Sequence, residues 1–137
     1  MVIIEQVADF VAKALPRTAG QWPRRSLVNW LAHQWAHRCL AVLAFNGTII
    51  GAGVAVRCEA SAMTDPWTPW NDRGDCLYFH LAAANDSEAL RGLMALMAHR
   101  VPDWASLELF ATRHGRRVRI PRGVIQRTWQ RRQAKKD

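Results

Sequence analysis

The chain has 137 residues, half of them hydrophobic, and carries a net charge of +8. This length fits one domain that closes a single hydrophobic core, and the apolar content excludes a disordered chain. The chain start has no basic segment of a secretory signal, and the longest apolar run (39–56) is interrupted by Asn46-Gly47 and two further glycines. The interrupted apolar run therefore predicts strands rather than a membrane span. Because a secretory signal is also not recognised, we expect a cytoplasmic protein.

Hydrophobic periodicity predicts two helices at the start of the chain. Residues 2–15 place apolar side chains at helical spacing, and Pro16 ends this helix. Pro23 occupies the first turn of a second helix that runs to about residue 37. The apolar residues on one face of this second helix are Leu27, Trp30, Leu31 and Trp35.

Five strands and a third helix are predicted in the remainder. Asn46-Gly47 is a strong hairpin signal because both positions of a type I′ turn need positive φ. Gly51 and Gly53 lie inside the second strand and indicate a bulge or a close approach of another segment. Asn85-x-x-Glu88 has the form of a capping box. The predicted strands are 40–45, 48–57, 76–83, 106–112 and 116–120, and the helix is 86–99.

The predicted order of elements is α-α-β-β-β-α-β-β. The third strand, the helix and the fourth strand form a βαβ unit, which is right-handed and places these two strands parallel in a mixed sheet. His114-Gly115 is the predicted turn between the last two strands. We expect an α/β (α+β) domain over residues 1–121, followed by a basic C-terminal tail or short helix over residues 122–137.

Cysteines and histidines show no metal or disulfide pattern. Cys39, Cys58 and Cys76 are an odd number of widely spaced residues, which is typical of buried reduced thiols. His33 and His37 share a helix face at the spacing of a two-histidine metal pair, but no third ligand is near them in the sequence. Exposed or packing histidines are the simpler interpretation, and we expect no metal.

The excess positive charge lies at the C-terminal end. Residues 113–137 contain ten Lys/Arg and one Asp, whereas the first 112 residues contain nine Lys/Arg and ten Asp/Glu. This asymmetry predicts contact with nucleic acid or with an acidic protein, and the alternative is a solvated tail that aids solubility. No base-reading motif is present, so nucleic-acid binding would be weakly sequence-specific. The candidate residues are Arg116, Arg117, Arg119, Arg122, Arg127, Arg131 and Arg132.

Four segments carry a family resemblance. In chain order they are Gln21-Trp22-Pro23, residues 41–55, Trp-Asn-Asp-Arg-Gly-Asp at 70–75, and Tyr-Phe-His-Leu-Ala at 78–82. They resemble the start of the second helix, the first hairpin, a loop and the following strand of the RTX toxin-activating lysine acyltransferases. That family is related to the GNAT acyltransferases and moves a fatty acyl group from acyl carrier protein to a lysine. The resemblance implies a GNAT-like mixed sheet and a donor that is an acyl-CoA or an acyl carrier protein.

The resemblance also has departures. The family's catalytic histidine would fall at residues 18–20, which are Thr, Ala and Gly here, and the aspartate of its central strand falls on or beside His80. His80 is therefore the candidate general base, and a histidine without catalytic role is the alternative. We expect altered or lost catalysis.

The resemblance places donor binding at the start of the third helix. Acids at positions 86 and 88 stabilise a helix start but repel a pyrophosphate, which disfavours ordinary acetyl-CoA. The candidate donor-binding residues are Ala83, Ala84, Asn85 and Ser87.

Two other hypotheses stay open. The chain is alternatively a non-catalytic binding or accessory protein, of phage or inhibitory type, whose basic end contacts the anionic partner. It is alternatively an assembly subunit, because seven tryptophans would leave an aromatic patch for self-association into a homo-oligomer. The segment with Pro66, Trp67, Pro69 and Trp70 would form an aromatic lip over a groove or fasten a long loop to the core.

Overall fold

The computed structural model describes residues 3–62, 65–113 and 116–136. The predicted order of helices and strands is confirmed, and the predicted turn at His114-Gly115 lies outside the described residues. The elements are α1 (Ile4–Ala14), α2 (Arg24–Ala36), β1 (Leu40–Phe45), β2 (Thr48–Cys58), β3 (Cys76–Ala84), α3 (Ser87–His99), β4 (Glu108–Arg113), β5 (Arg116–Arg119) and α4 (Arg122–Lys136).

The strands form one mixed sheet in the order β1-β2-β3-β4-β5. Only the β3–β4 pair is parallel among the described ladders, as the βαβ unit predicts. Asn46 and Gly47 have φ angles of 51° and 78°, which confirms the hairpin turn. Gly53 allows α3 to approach closely, since a Cβ there would lie 2.6 Å from Met97 Cε.

Helices cover the two faces of the sheet. On one face, α1 and α2 bury Val7, Val11 and Leu31 against β1, β2 and the end of β3. On the other face, Leu93 of α3 and Ile125 of α4 pack over Leu77, Phe79 and Leu109. Among the described residues, no helix is both long and apolar enough to cross a membrane.

The buried face of α2 differs from the prediction at its C-terminal end. Trp35 was expected to be buried with Leu31, but it is 44% exposed, whereas Gln34 is 2% exposed. Gln34 tolerates burial because its Nε2 donates to the carbonyl oxygen of Pro66 at 3.3 Å. A loop carbonyl thus satisfies the buried amide of Gln34.

The predicted capping box at the start of α3 was wrong by one residue. The backbone N–H of Asn85 donates to the carbonyl of Ile50 at 3.0 Å, so Asn85 still belongs to the end of the sheet. Asp86 is the N-cap, and its carboxylate accepts from the Ala89 N–H at 2.8 Å. The acceptor at the helix start is therefore a charged side chain.

The three cysteines are buried free thiols, as the sequence predicts. Burial raises the pKa of each, and the pKa of Cys76 rises to about 11 because Asp75 adds to the effect of burial. Thiolate chemistry is therefore suppressed at neutral pH.

The basic C-terminal segment is a helix that belongs to the core on one face. Ile125 is 2% exposed within the α3 cluster, and the Trp129 ring stacks on His99 at 4.1 Å between centroids. Arg127 and Arg131 lie exposed on the same helix. The division of the chain at residue 121 stays a prediction, although α4 shares its core with α3.

Replacing Ile125 with Ala should lower the free energy of unfolding by about 2–4 kcal/mol, because it leaves a cavity under α4. Urea denaturation measures the change. Arg131→Ala, on an exposed position of the same helix, should change the free energy by less than about 0.5 kcal/mol. Equal effects of the two substitutions would show that α4 is not docked.

Candidate functional site

The parallel strands β3 and β4 separate part-way along their length. Their ladder has four pairs and ends at Phe79 with Ala111. Beyond this point β3 continues to Ala84 and β4 continues to Arg113 without further pairs between the two strands. The backbone groups of β3 that face β4 are therefore left without ladder partners, as at a sheet edge.

A β-bulge at His80 lies at the point of separation. Val54 of β2 pairs with Leu81, but the next residue, Ala55, pairs with Phe79. His80 is thus the extra residue of β3 and has no Cα partner in either neighbouring strand. A bulge bends its strand and increases the local twist, which accounts for the divergence of β3 from β4.

A cavity of about 870 Å³ follows this opening. Its size is in the range of ligand pockets, and most of its wall is apolar. It begins at the loop after α1, passes His80 and reaches the first turns of α3. Residues that line it include Trp22, Trp30, His80, Ala82, Met94 and Ile120.

His80 is half-buried in this cavity and neutral at pH 7. Its ring lies edge-on to Tyr78 at 4.6 Å and to Trp30 at 6.4 Å between centroids. Burial lowers the pKa of His80 to about 4, and the nearby Asp65 only partly opposes this. The buried Nε2 has no hydrogen-bond partner among the described residues.

Hydrogen bonds hold the surroundings of His80 in place. The Tyr78 and Thr112 hydroxyls bond to each other across β3 and β4 where the strands part. The carbonyl of Pro66 accepts from Trp30 Nε1 at 2.8 Å, which fastens the long loop between β2 and β3 over α2. Tyr78, two residues before His80, was predictable from strand alternation, whereas Thr112 had no local signal.

Several solved structures have an architecture similar to that of this chain. The GNAT-like decarboxylase GphF in complex with isobutyryl-CoA matches with a TM-score of 0.55 and 15% identity, over 79% of this chain and 60% of that one. The chain has a GNAT-like fold. The loading GNATL domain of CurA from Lyngbya majuscula matches with a TM-score of 0.56 and 11% identity, over 79% and 58%.

An agmatine N-acetyltransferase matches this chain with a TM-score of 0.53 and 17% identity, over 93% of this chain and 76% of that one. This chain therefore spans about 60% of the length of GphF and of the CurA domain. No protein-family model matches the sequence, and no curated protein matches it.

The predicted donor loop of the GNAT-like fold lies beside the cavity and contributes none of its described lining residues. Ala83 is buried under α1 and α2, and Asn85 and Ser87 are exposed. The Asp86 carboxylate already accepts from a helix N–H, so it occupies the place where an anion would bind. The donor-binding roles of Ala83, Ala84, Asn85 and Ser87 stay a prediction.

The predicted aromatic lip is divided. Pro66 lines the cavity, but Trp67 is 48% exposed and its ring lies against His33, while Trp70 lines a different pocket. The His33 and His37 rings are 4.3 Å apart. The described residues contain no group of three or more His, Cys, Asp or Glu that could hold a metal ion.

The predicted anionic-partner residues are mostly exposed, and two of them are paired. Arg117 and Arg119 place their guanidinium groups over the Phe110 ring at 5.6 and 5.9 Å. Glu108 forms ion pairs with Arg119 at 2.9 Å and with Arg122 at 3.8 Å. Arg116, Arg127 and Arg131 are exposed, and the Arg132 side chain lies outside the described part of the chain.

Protonation of His80 should destabilise the fold in acid. Its pKa in the folded state is below the ordinary value of about 6.5, so the unfolded state takes up a proton first as the pH falls. Stability attributable to His80 is therefore present above about pH 6.5 and is lost down to about pH 4. We expect a loss of roughly 3 kcal/mol in this range, measured by urea denaturation.

His80→Gln is the matched variant, because it keeps a polar group of similar size without the titration. The difference in unfolding free energy between wild type and variant should change with pH over this interval. The carboxylates titrate equally in both proteins and cancel. A difference that is constant from pH 7 to pH 4 would contradict the assigned burial.

Proposed function

We propose that this chain binds an acyl thioester in the opening between β3 and β4 and that its acyl-transfer chemistry is altered. The observation that carries the proposal is the end of the β3–β4 ladder at Phe79, beside a cavity of about 870 Å³. A pantetheine arm is an extended chain with two amides, so it would pair with the free backbone edge of β3 as a strand does. Its acyl group would enter the apolar part of the cavity.

The binding of isobutyryl-CoA by the neighbour GphF supports a thioester ligand. The start of α3 argues for a donor without a pyrophosphate at that position, because Asp86 already fills the anion place. We therefore infer that the donor is a carrier-bound acyl group in preference to a free acyl-CoA. The resemblance to the toxin-activating acyltransferases supports a fatty acyl group and a lysine acceptor.

Altered chemistry follows from His80. In acyl transfer to an amine, the C–S bond breaks, a C–N bond forms, and the amine loses a proton that the leaving thiolate finally takes up. A base whose pKa is about 4 retains this proton poorly, so His80 would orient the amine more than activate it. We infer slow transfer that depends on an acceptor amine already deprotonated.

Filling the opening should weaken donor binding. Ala82 lines the cavity, so Ala82→Leu should weaken isobutyryl-pantetheine by at least about tenfold through steric exclusion. Quenching of tryptophan fluorescence reports binding, since Trp22 and Trp30 line the same cavity. We also expect isobutyryl-pantetheine to bind at least as tightly as isobutyryl-CoA.

Ala44→Leu is the matched control, because Ala44 is an exposed strand alanine that lines neither cavity. It should bind both thioesters as the wild type does. Unchanged affinity in Ala82→Leu, or no affinity of the wild type for either thioester, would refute donor binding. Release of free thiol in the presence of a lysine peptide then measures transfer.

A second candidate function is contact with an anionic polymer through the basic end. It is favoured by the exposed arginines of β5 and α4, of which Arg116, Arg127 and Arg131 form no ion pair with another described residue. Cationic side chains on one polymer-facing surface give salt-dependent binding to nucleic acid or to an acidic protein. Because Ile125 is in the core, removal of α4 would disturb the fold as well as the charge. Charge reversal on the exposed face of α4 is therefore the suitable test of this hypothesis.

Arg127→Glu with Arg131→Glu should weaken binding of a labelled duplex DNA or of polyglutamate by at least about tenfold at low salt. Fluorescence anisotropy measures the affinity, and the two probes separate nucleic acid from an acidic protein. Lys13→Glu with Arg17→Glu makes the same charge change on exposed residues near the N-terminus. Equal weakening by both pairs would mean that only net charge matters and would refute a defined surface.

A further inference from the structure

A second cavity lies at the other end of α3 and of β3. It has a volume of about 570 Å³ and shares no lining residue with the cavity at His80. Its walls come from the end of α2, the start of β1, the middle of β2, the start of β3 and the end of α3, with one residue from the loop before β3. The thioester proposal makes no use of it.

The floor of this cavity is apolar and its rim is aromatic. Leu40, Ala55, Leu77 and Met97 form the floor. Trp35 and Trp70 line it with side chains that are 44% and 38% exposed. Two large aromatic residues held partly in solvent around an apolar floor are typical of a pocket that receives the apolar body of a ligand.

Two arginines add a positive charge to this pocket. Arg38 and Arg100 line it, and no acidic residue is among its described lining residues. Arg100 Nη1 donates to the carbonyl of Leu40 at 3.3 Å, which leaves its other N–H groups for a ligand. The nearby Asp72 accepts from Trp70 Nε1 at 2.8 Å and does not line the cavity.

Arg38 has an unusual backbone conformation. It lies two residues after the end of α2, and its φ of 60° is in the left-handed region that favours glycine. Glycine adopts this backbone conformation more easily than arginine does, yet the chain has a cationic residue at this position. A guanidinium group presents a fork of N–H donors that matches a carboxylate, and this pocket is lined by two arginines.

We propose that this pocket binds a small organic anion, a carboxylate on an apolar body. The carboxylate contacts Arg38 and Arg100, and the apolar body lies on Leu40, Leu77 and Met97 between the two tryptophans. The mainly apolar wall argues against a polyphosphate, whose several charges would need more polar partners. This inference does not depend on thioester binding at His80.

Three probes with the same alkyl chain test the chemistry: octanoate, octanol and octylammonium. Titration of the ¹⁵N-labelled protein should show saturable binding of octanoate, at least about tenfold weaker binding of octanol and none of octylammonium, because the head group pairs with arginine. The indole N–H signals of Trp35 and Trp70, assigned with Trp35→Phe and Trp70→Phe, should shift. The Trp30 signal, which reports the cavity at His80, should not.

The variants are Arg38→Gly and Arg100→Gln. Arg38→Gly suits the left-handed backbone, so it should fold normally while octanoate binds at least about tenfold more weakly. Arg25→Gln, an exposed arginine of α2 outside both cavities, is the control and should bind as the wild type does.

Three outcomes would overturn the proposal. They are equal affinity for the three probes, octanoate shifts at Trp30 without shifts at Trp35 and Trp70, and a concentration-dependent dimer in sedimentation that covers both tryptophans and excludes octanoate. Binding of isobutyryl-pantetheine is measured on the same variants. Its presence or absence reports on the cavity at His80 alone.

Discussion

The single extra residue in β3 is the constraint on which the site depends. Because His80 has no counterpart in β2, β3 bends there and its parallel ladder with β4 ends one residue earlier, at Phe79. The gap that results is lined mainly by apolar side chains and by His80, whose buried Nε2 has no hydrogen-bond partner among the described residues. One inserted residue thus couples the shape of the sheet to the chemistry of its cavity.

The helices on the two faces of that sheet have different roles. α1 and α2 bury aliphatic residues and, through Trp30, fasten the long loop beside His80. α3 and α4 cover the other face and carry exposed arginines outward while Ile125 points into the core. A strongly basic segment can therefore be an integral part of a compact domain when only one of its faces is charged.

Local patterns in the sequence predict the order of elements, because hairpin turns, caps and helical periodicity act over a few residues. The Asn46-Gly47 turn is an example, whereas the parallel β3–β4 pair follows from the rule for βαβ units. The bulge was not predictable, since it depends on the register between strands that are distant in sequence. The burial of Gln34 and the Tyr78–Thr112 contact were not predictable for the same reason. In each, the hydrogen-bond partner lies more than 30 residues away in the sequence. His80 was a candidate because of its position in the third strand. Its low pKa was not predictable, because it results from burial by residues that are distant in sequence.

Gly53 has a consequence for the arginine-lined pocket. Met97 occupies the space that any larger residue at position 53 would need, so α3 rests close against the sheet. The first turns of this helix border the opening at His80, and its end borders the arginine-lined pocket. A methyl group at position 53 would force the Met97 thioether to move, and because Met97 lines the arginine-lined pocket, this movement would change the width of that pocket.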